Sequence, residues 1–239
     1  MTQKITLKEL GLDIGSIFGS YFLKTENMHY GYWQDQMEVR PENFAKAQEE
    51  FSLYLKDKIP DGVKTILDVG CGSGELAQLL ITNGYQVDCV SPSPYLSQKV
   101  KEITNKQAKV YETYYENLTT NNRYDLVLFS ESFQYIKVHD AITKSLEVLN
   151  PEGQILICDF FRKDVRGKSP ISGGHNHTNF QKTIANFPLT LVKQEDITEK
   201  VAPTLDLVKD LLSKVGKPLF DITTKCFASN KPILSRLVH

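Results

Sequence analysis

A doubly wound α/β fold with a mainly parallel sheet is what this sequence of 239 residues predicts, on three observations. From about residue 64 to 195, short apolar runs alternate with helix-like segments. Those runs are rich in Val, Ile and Leu, as strands covered on both faces are. A glycine loop, DVGCGSGE (68–75), directly follows the first run and opens the first helix.

The elements follow in order. TILDVG (65–70) reads as the first strand, and GELAQLLITNG (74–84) as a helix closed by Gly84. QVDCVS (86–91) is the second strand. SPYLSQKVKEITNK (93–106) is a helix with Ser93 as N-cap and Pro94 at its first position. AKVYE (108–112), DLVLFS (125–130) and QILICDFF (154–161) read as strands three to five. AITKSLEVLNPEG (141–153) is a helix stopped by a Pro-Glu-Gly turn, and LTLVKQEDI (189–197) is a sixth strand. Residues 1–62 read as a helical lid with aromatic clusters IFGSYFL and MHYGYW. The α/β domain spans 63–200, with a polar insertion at 162–188 that reads as a substrate cap. Residues 201–239 form a helical or irregular C-terminal segment.

Composition narrows the function classes. Net charge is −1 with Lys and Arg scattered, so no field favours nucleic acid or a membrane surface. The four cysteines show neither CxxC nor zinc spacing and read as small core residues of a reducing compartment. No apolar leader or membrane-length run occurs in the sequence, and the expected location is cytoplasmic, without stable membrane anchoring.

The glycine spacing discriminates between cofactors. A dinucleotide loop wants G-x-G-x-x-G, but Gly70, Gly72 and Gly74 bring the third glycine one residue early. No Lys-Ser/Thr follows, so it is not a P-loop either.

ILDVGCGSGELAQLL (66–80), RYDLVLFSESFQYI (123–136) and VLNPEGQILICDFF (148–161) resemble the class I S-adenosylmethionine-dependent methyltransferases. MHYGYW (28–33) is similar to the pre-domain motif of members that methylate small molecules and lipids. The resemblance implies a Rossmann-like sheet of the seven-stranded type under a helical N-terminal lid. It implies S-adenosylmethionine as cofactor and S-adenosylhomocysteine as product. By the same resemblance Asp68, Gly70, Cys71 and Gly72 line the methionine moiety and ribose, and Tyr30 and Tyr21 close over the sulfonium. Ser130 offers a backbone carbonyl. The acid that holds the ribose diol maps onto Ser91, and the acid that receives the adenine amino group maps near Tyr114, where Tyr115 or Glu116 substitutes.

Methyl transfer is an in-line displacement, so alignment supplies much of the acceleration, and a protonated nucleophile needs a base nearby. Glu131, just past the fourth strand, is one candidate to position or deprotonate the acceptor, the alternative being a buried structural carboxylate bound by loop amides. His29 and His175 are the others, although a residue in either place also serves simply to hold a loop. His175 and His177 at i, i+2 with no third ligand nearby do not make a metal site. Aromatic residues cluster in the lid and at strand ends, which suggests an apolar or flat small-molecule acceptor. The expected function is methyl transfer to such a molecule. The alternative is a methyltransferase-like binding or partner protein with weakened catalysis, favoured by Ser91 and Tyr114.

Overall fold

The computed structural model describes residues 25–164 and 173–211, and beyond these 213–214, 217–218 and 221–222. Tyr21 lies outside the described residues, as do the whole IFGSYFL cluster and nearly all of the tail in which a last strand is expected.

Five parallel strands form the central sheet in the order β3-β2-β1-β4-β5. They are β1 (Thr65–Val69), β2 (Gln86–Ser91), β3 (Lys109–Glu112), β4 (Tyr124–Ser130) and β5 (Leu149–Cys158). A helix α1 (Phe44–Lys56) precedes them, and α2 (Glu75–Thr82), α3 (Pro94–Ile103) and α4 (Val138–Val148) connect them. The first three strands agree with the sequence reading to within a residue. The Ser93 hydroxyl accepts from the Leu96 amide at 3.2 Å, so the cap that starts α3 is the one its sequence specifies.

Strand alternation divides the interior into two apolar layers. On one face Ile66, Leu126 and Leu128 pack with Phe51, Leu55, Leu76, Leu80 and Val100 of the helices. On the other, Leu67, Val69, Val127 and Phe129 pack with Phe133, Ala141 and Ile142. The order reverses at β1, which pairs with β2 on one side and β4 on the other. Such a switch point leaves a crevice outside the carboxyl ends of the strands, where ligands of open α/β sheets bind.

Three local expectations are corrected. The Pro-Glu-Gly segment does not stop a helix: α4 ends at Val148, and residues 150–153 form a bulge between Leu149, paired with Tyr124, and Gln154, paired with Leu126. Residues 28–33 of the lid are not helical, because their backbone bonds go to other elements: the Tyr32 amide donates to the Ala47 carbonyl at 2.7 Å and the Trp33 amide to the Lys200 carbonyl at 2.8 Å. Residues 189–197 contain no strand. Leu191 and Val192 are 66% and 81% exposed, and ion pairs of 2.8 Å (Lys58 to Glu195) and 3.1 Å (Lys163 to Asp196) hold the segment at the crevice mouth instead.

The 162–188 insertion carries a two-residue strand pair, β6 (Phe161–Arg162) with β7 (His175–Asn176), followed by α5 (His177–Ile184). Phe180 of α5 packs on Phe133 and Phe161, with ring centroids 5.7 and 4.8 Å apart. Two helices close the described chain, α6 (Thr198–Val201) and α7 (Pro203–Leu211).

Candidate active site

The crevice at the switch point encloses about 1150 Å³. Its first half is built by the glycine loop. Gly70, Gly72 and Gly74 have φ of 73°, 55° and 101°, the left-handed region that side chains resist. Gly70 also needs the space: a Cβ there would stand 2.5 Å from the Ser132 Cβ, and the Ser132 hydroxyl donates to the Val69 carbonyl beside it. Asp68, one residue before the end of β1, is 1% exposed and neither carboxyl oxygen has a partner among the described residues. Burial pushes its carboxyl up to about 7. The buried Ser130 hydroxyl at the end of β4 is likewise unpartnered. Buried polar groups without partners call for an explanation, and both residues line the crevice.

The nucleoside positions expected from the resemblance are also on this wall. Ser91 is buried at the tip of β2, its hydroxyl accepting from the Ser93 amide at 3.3 Å. Asp88 on the opposite face is occupied by the Tyr124 hydroxyl at 2.7 Å and the Asn122 amide at 3.0 Å, so it does not replace a ribose acid. Tyr114, Tyr115 and Glu116 line the crevice. Tyr115 does not offer its side chain, however. Its phenol turns inward to within 2.9 Å of the Ser145 hydroxyl and its ring meets Phe129 edge-on. Tyr114, by contrast, is exposed.

The lid segment crosses over the glycine loop and is clamped from two sides. Gln48 of α1, fully buried, donates to the Asn27 and His29 carbonyls and accepts from Thr25. Thr204 of α7 accepts from the Gly31 amide at 3.1 Å and the Trp33 indole at 2.9 Å. Met28 rests in van der Waals reach of Gly72. Tyr30 faces the crevice, and its amide donates to both oxygens of Glu131 at 3.1 Å.

His29 and His175 are both placed in structural roles. His29 is enclosed, stacked on Phe51 at 4.7 Å, and its ring nitrogens are occupied by the Tyr30 carbonyl and the Ser52 hydroxyl. Burial, only partly offset by that carbonyl, lowers it to about 4, so the ring is neutral and its lone pair engaged. His175 turns away from the crevice, its Nε2 lying 3.1 and 2.9 Å from the Phe133 and Ile136 carbonyls. Both ring nitrogens of His29 are engaged, and His175 does not line the crevice. His177 does line it.

Glu131, the third expected residue, lines the crevice. Its φ of 54° is a left-handed conformation uncommon outside glycine, and such strain concentrates at functional sites. Burial raises its carboxyl to about 8, against the Tyr30 amide, and Asp159 adds to the rise. Asp159 is a site residue that sequence reasoning missed. The pairing of Ser130 with Cys158, continued by the Glu131 amide donating to the Cys158 carbonyl at 2.8 Å, sets it beside Glu131. Burial raises its carboxyl although the Gln134 and Phe160 amides bind it. The available signal was position alone: an acid following a buried parallel strand stands at the ligand-bearing end of the sheet. Tyr135, Phe160, Phe161, Phe180 and Ile184 complete an apolar second half of the crevice.

A methyltransferase domain model matches residues 37–190. A Geobacillus sp. (strain WCH70) protein bearing a methyltransferase name is 27% identical over 53% of this chain and 54% of its own length. The glycine/sarcosine/dimethylglycine N-methyltransferase of Actinopolyspora halophila is 28% identical over 72% of this chain and 33% of its own length. The chain thus spans about half, or less, of the length of these two curated relatives. Among solved structures, geranyl diphosphate C-methyltransferase from Streptomyces coelicolor A3(2) superposes with a TM-score of 0.69 at 14% identity, covering 87% of this chain and 88% of that one. With the switch-point crevice and its glycine loop, the family match establishes that the chain belongs to the methyltransferase-domain family, on the Rossmann-like fold of the class I S-adenosylmethionine-dependent methyltransferases.

Proposed function

We propose that this protein transfers a methyl group from S-adenosylmethionine to a small molecule that is largely apolar or aromatic. One observation carries the reading: a single crevice joins a glycine-loop half holding unpartnered polar groups to an aromatic half with two carboxyls. The residues fit the cofactor. Asp68 supplies an anionic acceptor for an ammonium group, and the glycines admit close backbone approach. Ser91 supplies a neutral partner at the ribose position, and Tyr114 an exposed ring beside it. When bound, the cofactor supplies an electrophilic methyl group.

The protein's own contribution is orientation and proton management. The Tyr30–Glu131 contact ties the lid to the end of β4, so closing the lid also sets the carboxyl beside the acceptor. Glu131 is protonated at neutral pH, because its carboxyl is raised to about 8. Acting as a base, it must ionise, so the rate should rise with pH through that range. Glu131→Gln should flatten that limb and lower turnover roughly 10²–10⁴-fold. Initial rates measured against pH for both proteins check this, and an unchanged profile would remove Glu131 from the chemistry.

The second reading, a binding or partner protein without turnover, is favoured by Ser91 standing where a carboxylate would hold the ribose. Calorimetry separates the two stages. No heat with S-adenosylmethionine or S-adenosylhomocysteine up to millimolar concentration would sink both the cofactor and the enzyme. Ser91→Asp should tighten cofactor binding, by up to about tenfold if the added carboxylate reaches the diol. Marked weakening would show that Ser91 faces something other than a ribose.

A further inference from the structure

We propose that the methyl acceptor is an amine carried on an apolar body, its ammonium group received by the paired carboxyls of Glu131 and Asp159 beside the Tyr30 and Tyr135 rings. This rests on the methyltransferase reading and specifies the acceptor atom, which the resemblance leaves open among carbon, nitrogen and oxygen.

Charge distribution in the crevice is the first argument. Acids outnumber lysines along its lining, and besides Glu75 and Glu116 near the glycine loop and Glu195 and Asp196 at the mouth they are Asp68 at the end of β1, Glu131 after β4 and Asp159 after β5. None of these last three forms an ion pair among the described residues. The lysines that line the crevice, Lys58, Lys163 and Lys193, are at its mouth, and each is paired with Glu195 or Asp196. Glu131 and Asp159 are held by backbone amides but by no cation among the described residues, so an anionic acceptor would meet acids lacking a counter-charge, whereas a cation would supply it.

Geometry divides the acids between two ligands. Asp68 lies on β1 beside the glycine loop, at the cofactor end. Glu131 and Asp159 extend the neighbouring strands β4 and β5, next to the aromatic half of the crevice. The buried, unpartnered Ser130 hydroxyl immediately precedes Glu131 and adds a neutral acceptor to that wall. Tyr30 and Tyr135 stand close enough for both carboxyls to raise their phenols, after burial, so the rings and acids share one corner. Aromatic faces beside acids suit an ammonium group, since ring quadrupole and carboxylate act in the same sense.

The reaction balances. Glu131 first loses its proton to solvent, a loss the bound ammonium favours, and then takes one proton from the ammonium, which frees the nitrogen lone pair. That pair forms the N–C bond as the methyl carbon–sulfur bond breaks, its electrons remaining on sulfur as a neutral thioether. The product is the methylated ammonium, and Glu131 ends protonated, as it began.

The test is calorimetric titration of the S-adenosylhomocysteine-loaded protein with phenylbutylamine, phenylbutanol and phenylbutyrate, which share one apolar body. The amine should bind roughly tenfold or more tightly than the alcohol, and the carboxylate most weakly. In Glu131→Gln the amine should approach parity with the alcohol, while S-adenosylhomocysteine affinity is retained as the sign of an intact fold. If that variant loses the cofactor product, Asp159→Asn serves in its place. An alcohol or carboxylate that matches the amine, no binding by any of the three up to millimolar, or an amine preference surviving in both variants overturns the inference. Failure of the wild type to bind S-adenosylhomocysteine at all counts instead against the methyltransferase reading.

Discussion

Asp68→Asn is expected to stabilise the ligand-free protein above pH 7 and, in the same variant, to weaken cofactor binding. The two effects have one cause. In the free protein the Asp68 carboxyl is buried without a partner among the described residues and titrates near 7, far above an ordinary aspartate. A carboxyl raised in the folded state favours folding while it keeps its proton. That advantage is complete below the unfolded value near 4 and is lost as pH rises through 7. At higher pH the folded state buries a lone charge at a cost on the order of 3–4 kcal/mol. Asparagine carries no such charge, so the melting temperatures of the two proteins should diverge as pH rises from 4 to 8, the variant melting higher. Its affinity for S-adenosylmethionine should fall roughly ten- to a hundredfold, the value of a hydrogen bond to a charged group. Parallel melting curves across that range would show that Asp68 has a partner when buried.

Gly70→Ala should be the most damaging single change in the glycine loop. Alanine at a φ of 73° is strained by about 1–2 kcal/mol. Its Cβ would also fall 2.5 Å from that of Ser132, and forced overpacking adds about 1–3 kcal/mol. Ser132 has little freedom to yield, because its hydroxyl is bonded to the Val69 carbonyl. For a chain of this length the sum corresponds to a fall of roughly 5–15 °C in melting temperature. Any relief by backbone movement would displace the loop that must approach the cofactor, so S-adenosylhomocysteine binding should be lost in calorimetry. A variant with unchanged melting and affinity would mean that the loop is free to relax.

The sequence was most legible where local rules and tertiary demands agree. The strand TILDV, its glycine turn and the Ser93-Pro94 helix start each specify their own geometry, and each formed where expected. The 189–197 segment shows the opposite case. Its apolar alternation satisfies a strand pattern, but Glu195 draws Tyr54 of the distant α1 and Lys58 of the turn after it, and no local rule registers such a contact. Candidate site residues divided on the same line. Glu131 could be placed on the crevice from sequence because it follows a strand end directly. The histidines were misleading because their partners, the Ser52 hydroxyl and the Phe133 and Ile136 carbonyls, are supplied by other elements. Asp159 was passed over inside an apolar run, its importance arising only from the register of β5 against β4.

The clamp on the lid has a consequence for how the molecule is made. Gly31 and Trp33 are bonded to a threonine 173 and 171 residues further along the chain. Contacts between segments so far apart in sequence form late, after nearer strands and helices have paired. During synthesis from the N-terminus the sheet can assemble with its crevice uncovered, and the lid cannot be fastened from this side until α7 has been made. The protein therefore acquires its cover last, and a chain interrupted before Thr204 would expose the aromatic half of its crevice to other proteins.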